Sequence, residues 1–212
     1  MLSFVTSGRI YKLSLGVVKR KMPYTKKHKM IIRHKILQSA SHAFRASGIK
    51  AVSVPQIMSG AGLTHGGFYA HFDSKEQLVA EACKSAMEDT VTRLGSVAEQ
   101  ASDEEKLYAV IESYLSAAHR DSSEQGCIMP ALAGEIARSS EDIREVFTEE
   151  VSCFLSFVSG LAVQDEDKSI ALTATMVGSI LLARSVNDPE LSDKILRACR
   201  ADLKQRTASP VS

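Results

Sequence analysis

Residues 53–80, SVPQIMSGAGLTHGGFYAHFDSKEQLVA, decide how the rest of the chain is read: they spell two short helices joined by a glycine-bearing turn and followed by a third. Ser53 is placed to cap the first, with Gln56 reaching back three residues on to complete a capping box. Pro55 is tolerated there because first-turn amides need no helical partner. Ile57 and Met58 supply the buried side, and Gly60-Ala61-Gly62 stops the helix, since glycine enters the left-handed region without a Cβ penalty. Leu63 anchors the turn, Thr64 is the next N-cap candidate, and His65 to Phe72 is expected to form a helix of about two turns. Phe68 and Phe72, four apart, share one stripe of it, leaving His65, Tyr69 and Ala70 on other faces. This is the pattern of a helix-turn-helix.

Gly66 and Gly67 each cost about 1 kcal/mol relative to alanine inside a helix, so they need a reason. Two readings stand side by side: close approach of the backbone to a phosphate, or tight packing of one helix on another. The flanking residues favour the first, because the exposed edge carries hydrogen-bonding side chains and no carboxylate. Asp73 and Ser74 are alternative caps for the following helix, with Glu76 or Gln77 completing the box. Lys75 then falls in the first helical turn, against the dipole preference, a poor place for stability and a good one for a phosphate.

The run Leu63 to Leu78, LTHGGFYAHFDSKEQL, resembles the recognition-helix signature of the TetR family of transcriptional regulators, in its AcrR-like form. The resemblance covers residues 28–85 in order and without gaps. It implies an all-α fold: a three-helix DNA-binding domain, then a larger helical domain that binds a ligand and dimerises. Two positions depart from the common family pattern, Gly67 where a small hydroxylated residue is frequent and Ala70 where a longer polar one is frequent. Both remove a DNA contact and shift sequence readout toward Thr64, His65 and helix 1. The DNA-binding set is accordingly Lys29, Arg33, Ser53, Thr64, His65, Gly66, Gly67, Tyr69, His71 and Lys75.

Charge agrees with a polyanionic partner. The net charge of +1 conceals twelve Lys and Arg with no Asp or Glu in residues 1–72, against fourteen Lys and Arg with all 25 acids in residues 73–212. An acid-free basic stretch that includes the helix-turn-helix is the electrostatic footprint of a nucleic-acid binder. Cys83, Cys127, Cys153 and Cys199 show no C-x-x-C pairing and read as reduced thiols in the cytoplasm. No apolar run approaches the roughly 18 residues of a membrane span. Nothing resembles a phosphate-binding loop, a nucleophile elbow or a metal-ligand spacing, so neither catalysis nor a cofactor nor a metal is expected.

In order along the chain, residues 1–27 read as a basic tail expected to be disordered, and Met22 as an alternative start. Helix 1 runs from His28 to Gly48 on Ile32, Ile36, Ala40 and Phe44, with Lys29, Arg33 and Lys35 available to phosphates. The helix-turn-helix domain is bounded at residues 28–73 and the ligand-binding and dimerisation domain at 74–206, with 207–212 a tail. Helices are expected over 74–99, 103–120, 130–139, 140–160, 165–187 and from Asp188-Pro189 onward, nine in all with no convincing strand. An effector pocket within residues 74–162 has Met87, Tyr108, Tyr114, Cys127, Met129, Phe154 and Phe157 as lining candidates. Cys127 follows a polar loop and opens a helix, where the dipole can lower a thiol pKa; the alternative reading is a redox or electrophile sensor acting through it. The helix over 165–187 is apolar on all sides and needs a second cover. The resemblance implies a twofold four-helix interface there, through Met176, Val177, Ile180, Leu181, Leu191, Ile195 and Cys199. The function expected is a homodimeric repressor released from a palindromic operator in double-stranded DNA by a small molecule; a helical protein-interaction module is the remaining alternative.

Overall fold

The computed structural model describes residues 3–6, 9–12, 26–163 and 165–208. The body is all-α. Helix α1 (Lys26–Ser47) is followed by α2 (Val54–Gly60), a six-residue 3-10 segment His65–Ala70, and the 25-residue α3 (Lys75–Glu99). Then come α4 (Lys106–Tyr114), α5 (Ala117–Asp121), a 3-10 turn (Ser123–Gln125), α6 (Ile128–Ile136) and α7 (Glu141–Val158). A π-turn (Ser159–Val163) leads on to α8 (Glu166–Ser185) and α9 (Pro189–Ala208). Ahead of the helices, Ser3–Thr6 (β1) pairs antiparallel with Arg9–Lys12 (β2), Ser3 opposite Lys12. That hairpin departs from the expected featureless tail; the rest of residues 1–25 and 209–212, with Met22 as an alternative start, lies outside the described residues.

Helix α3 is the spine. It buries Leu78, Val79, Ala82, Cys83, Ala86, Met87, Thr90, Leu94 and Ala98, a helical-period stripe about 30 Å long, and packs against α1, α4 and α7. A hydrophobic core runs continuously from Ile36 and Phe44 of α1 through Tyr114 and Phe154 to Met176 and Leu203. Among the described residues no single helix is long and apolar enough to cross a membrane.

Several expectations change with the fold. The helix expected over 103–120 is two helices, because Ser116 caps α5 through its side chain on the His119 amide and α4 ends at Tyr114. Pro130 is in the first turn of α6, which begins two residues earlier. Helix α8 is apolar on both sides, but Met176 and Ile180 point inward and are wholly buried within the protomer, so neither is available to a second copy. The outward stripe is Ile170, Val177 and Leu181, continued on α9 by Leu191 and Ile195; Leu181 and Leu191 are 48% and 43% exposed. Cys199 is half-buried at its edge.

Candidate nucleic-acid interface

The geometry begins with caps. Ser53 accepts the Gln56 amide through its Oγ, and Gln56 accepts the Ser53 amide at 2.7 Å, closing the box that starts α2. Gly62 leaves α2 with φ +71°, and the Leu63 amide donates to the Met58 carbonyl. The next segment is not the α-helix of two turns that the spacing suggested: it winds as 3-10, and Thr64 makes no side-chain cap. Two glycines and only six residues give too little propensity to hold α geometry, so tertiary contacts set the winding. Phe68 and Phe72, both buried, stack at 5.7 Å and nail the segment to the core, with the Tyr69 ring edge-on to Phe68 at 5.1 Å. Ser74 caps α3, its Oγ accepting the Gln77 amide, and Gln77 in turn accepts the Asp73 amide.

What this presents to solvent is a face with no carboxylate. Lys29, Ser53, Thr64, His65, Gly66, Tyr69 and Ala70 are exposed, Tyr69 at 69%. The two readings of the glycine pair now separate. A Cβ built on Gly66 meets nothing within 4 Å, and one on Gly67 reaches only Met58 Cε at 3.7 Å. Internal packing therefore does not require either glycine, and the open side is the outer one.

Between α1 and this segment lies a cleft of about 470 Å³. Ile32, Met58, Leu63 and Ala70 give it an apolar floor; His28, Lys29, Thr64 and His71 supply its polar atoms. Burial, then the nearby Lys29 and Arg33 charges, push the His71 imidazole below its ordinary pKa. Its Nδ1 is buried with no hydrogen-bond partner among the described residues.

Two members of the sequence-derived set are already engaged within the protein. The Arg33 guanidinium makes a two-pronged ion pair with Glu81 and lies 4.5 Å over the Phe72 ring. Lys75 donates from Nζ to the Ile49 carbonyl at 2.7 Å, so it ties α3 to the turn after α1. That turn is held from a third side by Glu135 of α6, whose carboxylate accepts the Ile49 and Lys50 amides at 3.2 and 3.1 Å. Arg45 near the end of α1 donates to the Gly126 carbonyl at 2.7 Å, just ahead of α6. Both ends of α6 are thus fastened to the DNA-binding module. These contacts, made across 26 to 86 residues of sequence, had no local signal.

Of the residues expected to line an effector pocket, most lie together in the core. Tyr114, Phe154 and Phe157 form a ring cluster at 6.1 Å spacings, with Met87, Cys127 and Met129 buried in the same core. Tyr108 is elsewhere, donating to Glu112 and carrying the Lys204 ammonium 4.4 Å over its ring. Sequence reasoning missed His119 and Arg184. His119 Nδ1–H donates to the Tyr114 carbonyl, its Nε2 accepts the Cys127 amide at 2.9 Å, and burial lowers its pKa to about 4. Arg184 donates to the His119 and Arg120 carbonyls. Cys127 occupies the N-cap of α6 as expected, but it is fully buried, and that burial pushes its thiol up against the pull of the helix start.

Residues 36–82, the stretch whose geometry has just been described, match the family model "Bacterial regulatory proteins, tetR family". The chain carries the helix-turn-helix domain of the TetR family. Over 56 residues it is 39% identical to the HTH-type transcriptional repressor KstR2 of Mycolicibacterium smegmatis, a match that covers 26% of this chain and 27% of that protein. The likeness to curated relatives thus spans about a quarter of their length. In structure, the reduced form of Escherichia coli NemR superposes with a TM-score of 0.73 at 18% identity, covering 86% of this chain and all of that one. A TetR family transcriptional regulator from Agrobacterium tumefaciens gives 0.70 at 18% identity, covering 84% and 98%. The TetR fold therefore extends through the C-terminal helices, where sequence similarity does not reach.

Proposed function

We propose that the chain is a DNA-binding transcriptional regulator, a cytoplasmic homodimer that represses from a palindromic operator and is released by a small molecule bound in the C-terminal bundle. The observation that carries the reading is the recognition segment: two glycines that no internal contact requires, on an exposed face free of carboxylates, beside Tyr69 and Lys29. Backbone there can approach a phosphate or a base edge with nothing in the way. Thr64 and His65 are assigned to base edges and Tyr69 and Lys29 to phosphates, while Arg33 and Lys75 act by holding the module in shape.

The stripe of exposed Ile170, Leu181 and Leu191 with half-buried Val177 and Ile195 is the face assigned to the second copy. Dimerisation sets the distance between two recognition segments, which must match successive major grooves about 34 Å apart. An effector acts if it binds the form with the wrong spacing, and the coupling is then reciprocal: operator weakens effector binding by the factor by which effector weakens operator binding. The test is a mobility shift on fragments from around the gene, with wild-type protein and the Thr64→Ala and His65→Ala variants. Altered ranking of fragments by these two variants supports the assignment, and an unbound wild-type protein rejects the function.

A further inference from the structure

The cleft between α1 and the recognition segment has an apolar floor and a cationic rim, and at its wall stands an imidazole whose Nδ1 has no partner among the described residues. Around His71, α1 supplies His28, Lys29 and Arg33, the recognition segment lines the same cleft with Gly66, Gly67 and Ala70, and α2 carries no charged residue. Asp73 lies two residues on, ahead of α3, and within α3 Glu81 is committed to Arg33 and Lys75 to the Ile49 carbonyl. The charges that act on the ring are the cations Lys29 and Arg33, which oppose a further proton.

We propose that this cleft receives a backbone phosphate of the bound duplex and that the phosphate brings a proton with it, held on His71. The inference rests on the DNA-binding reading of the same face. In the free protein a second proton on the ring would lie among Lys29 and Arg33 in a partly desolvated site, so the neutral ring is preferred. A phosphate seated beside Lys29 reverses the local field and offers an acceptor to an imidazolium donor, which favours the charged ring.

The sign follows from linkage. The ring's pKa is below the ordinary 6.5 when free and is raised when DNA is bound, so the complex holds more protons than the separated partners between those two values. Affinity therefore rises as pH falls through that interval and is flat above and below it. One group limits the slope to about tenfold in affinity per pH unit.

The probe is a fluorescein-labelled duplex of mixed sequence, since the contact is to a phosphate and needs no operator. Anisotropy titrations at constant low salt, from about pH 8 to about pH 5.5, compare wild type with His71→Gln and, as a control, His42→Gln at an exposed position of α1 given no part in DNA binding. The expected result is a several-fold gain in wild-type affinity toward acid pH, retained by His42→Gln and lost by His71→Gln, with both variants melting as wild type does. In parallel, the His71 ring resonance should titrate at higher pH with the duplex present than without it. A His71→Gln slope equal to that of wild type, or a ring titration that the duplex leaves unmoved, overturns the proposal while leaving DNA binding intact. Absence of binding at every pH overturns the DNA-binding reading as well.

Discussion

Replacing Gly48 by alanine tests the turn that fastens the DNA-binding module to α6. Gly48 has φ +85°, and a Cβ there would lie 2.3 Å from Glu135 Oε1. The left-handed conformation costs an L-residue about 1 kcal/mol. The clash itself could be relieved cheaply, because the carboxylate is the far end of a flexible side chain. Moving it, however, releases the Ile49 and Lys50 amides, which it accepts at 3.2 and 3.1 Å. Hydrogen bonds to a charged group contribute about 1.5–3 kcal/mol each when protected; with the Lys50 bond at the surface, about 2 kcal/mol for the pair is the better figure. Gly48→Ala should therefore cost about 3 kcal/mol and lower Tm by about 6–12 °C for a chain of this length. Glu135→Ala alone should cost about 2 kcal/mol. In the Glu135→Ala background, Gly48→Ala should add only the backbone strain of about 1 kcal/mol, a coupling of about 2 kcal/mol in a double-mutant cycle read by urea denaturation. Equal costs of Gly48→Ala in the two backgrounds would refute the argument that Glu135 and Gly48 act as one device.

Tyr69→Phe should weaken DNA binding by about 1–2 kcal/mol in anisotropy titrations and leave the melting temperature unchanged, since the ring keeps its edge contact with Phe68 and loses only an exposed hydroxyl. Phe68→Ala, at a fully buried position, should cost about 3–5 kcal/mol in denaturant unfolding and abolish DNA binding with it. Leu181→Lys should convert a dimer to a monomer in sedimentation without unfolding the protomer, whereas Met176→Lys should unfold it, because only the first side chain faces outward. Stability should fall as pH drops from 6.5 toward 4: the unfolded His119 takes up a proton first, while the buried ring refuses it until about 4. The part of that fall lost in His119→Gln, measured by urea titrations across the interval, should approach about 3 kcal/mol.

Local chemistry was legible in the sequence. The Ser53–Gln56 capping box, the stop at Gly62, the start of α3 at Ser74 and the buried pair Phe68 and Phe72 all depend on residues within four positions of each other, and all are present. Fold class followed from them. What was not legible depends on distant partners. Lys75 and Arg33 look alike in sequence to lysines and arginines with no internal partner; only the fold brings them to Ile49 and Glu81, 26 and 48 residues away. Met176 and Leu181 are equally apolar, and only the packing of α8 against its neighbours separates the buried one from the exposed one. Cys127 was correctly placed at a helix start, but burial, which no local pattern reports, outweighs the dipole. His119 meets Tyr114 and Cys127 only five and eight residues away, but Arg184, which fastens this loop to α8, comes from 65 residues on.

The most direct test of the central claim is the salt dependence of duplex binding by the purified protein. Phosphate neutralisation releases counterions, so affinity should fall by about tenfold or more between about 50 mM and about 200 mM salt, while circular dichroism shows the helices intact at both. Lys29→Ala should reduce the slope of log affinity against log salt by about 1 for each bound protomer. A folded protein that binds no duplex at the lower salt, or binds one with affinity indifferent to salt, would contradict the assignment of this face to DNA.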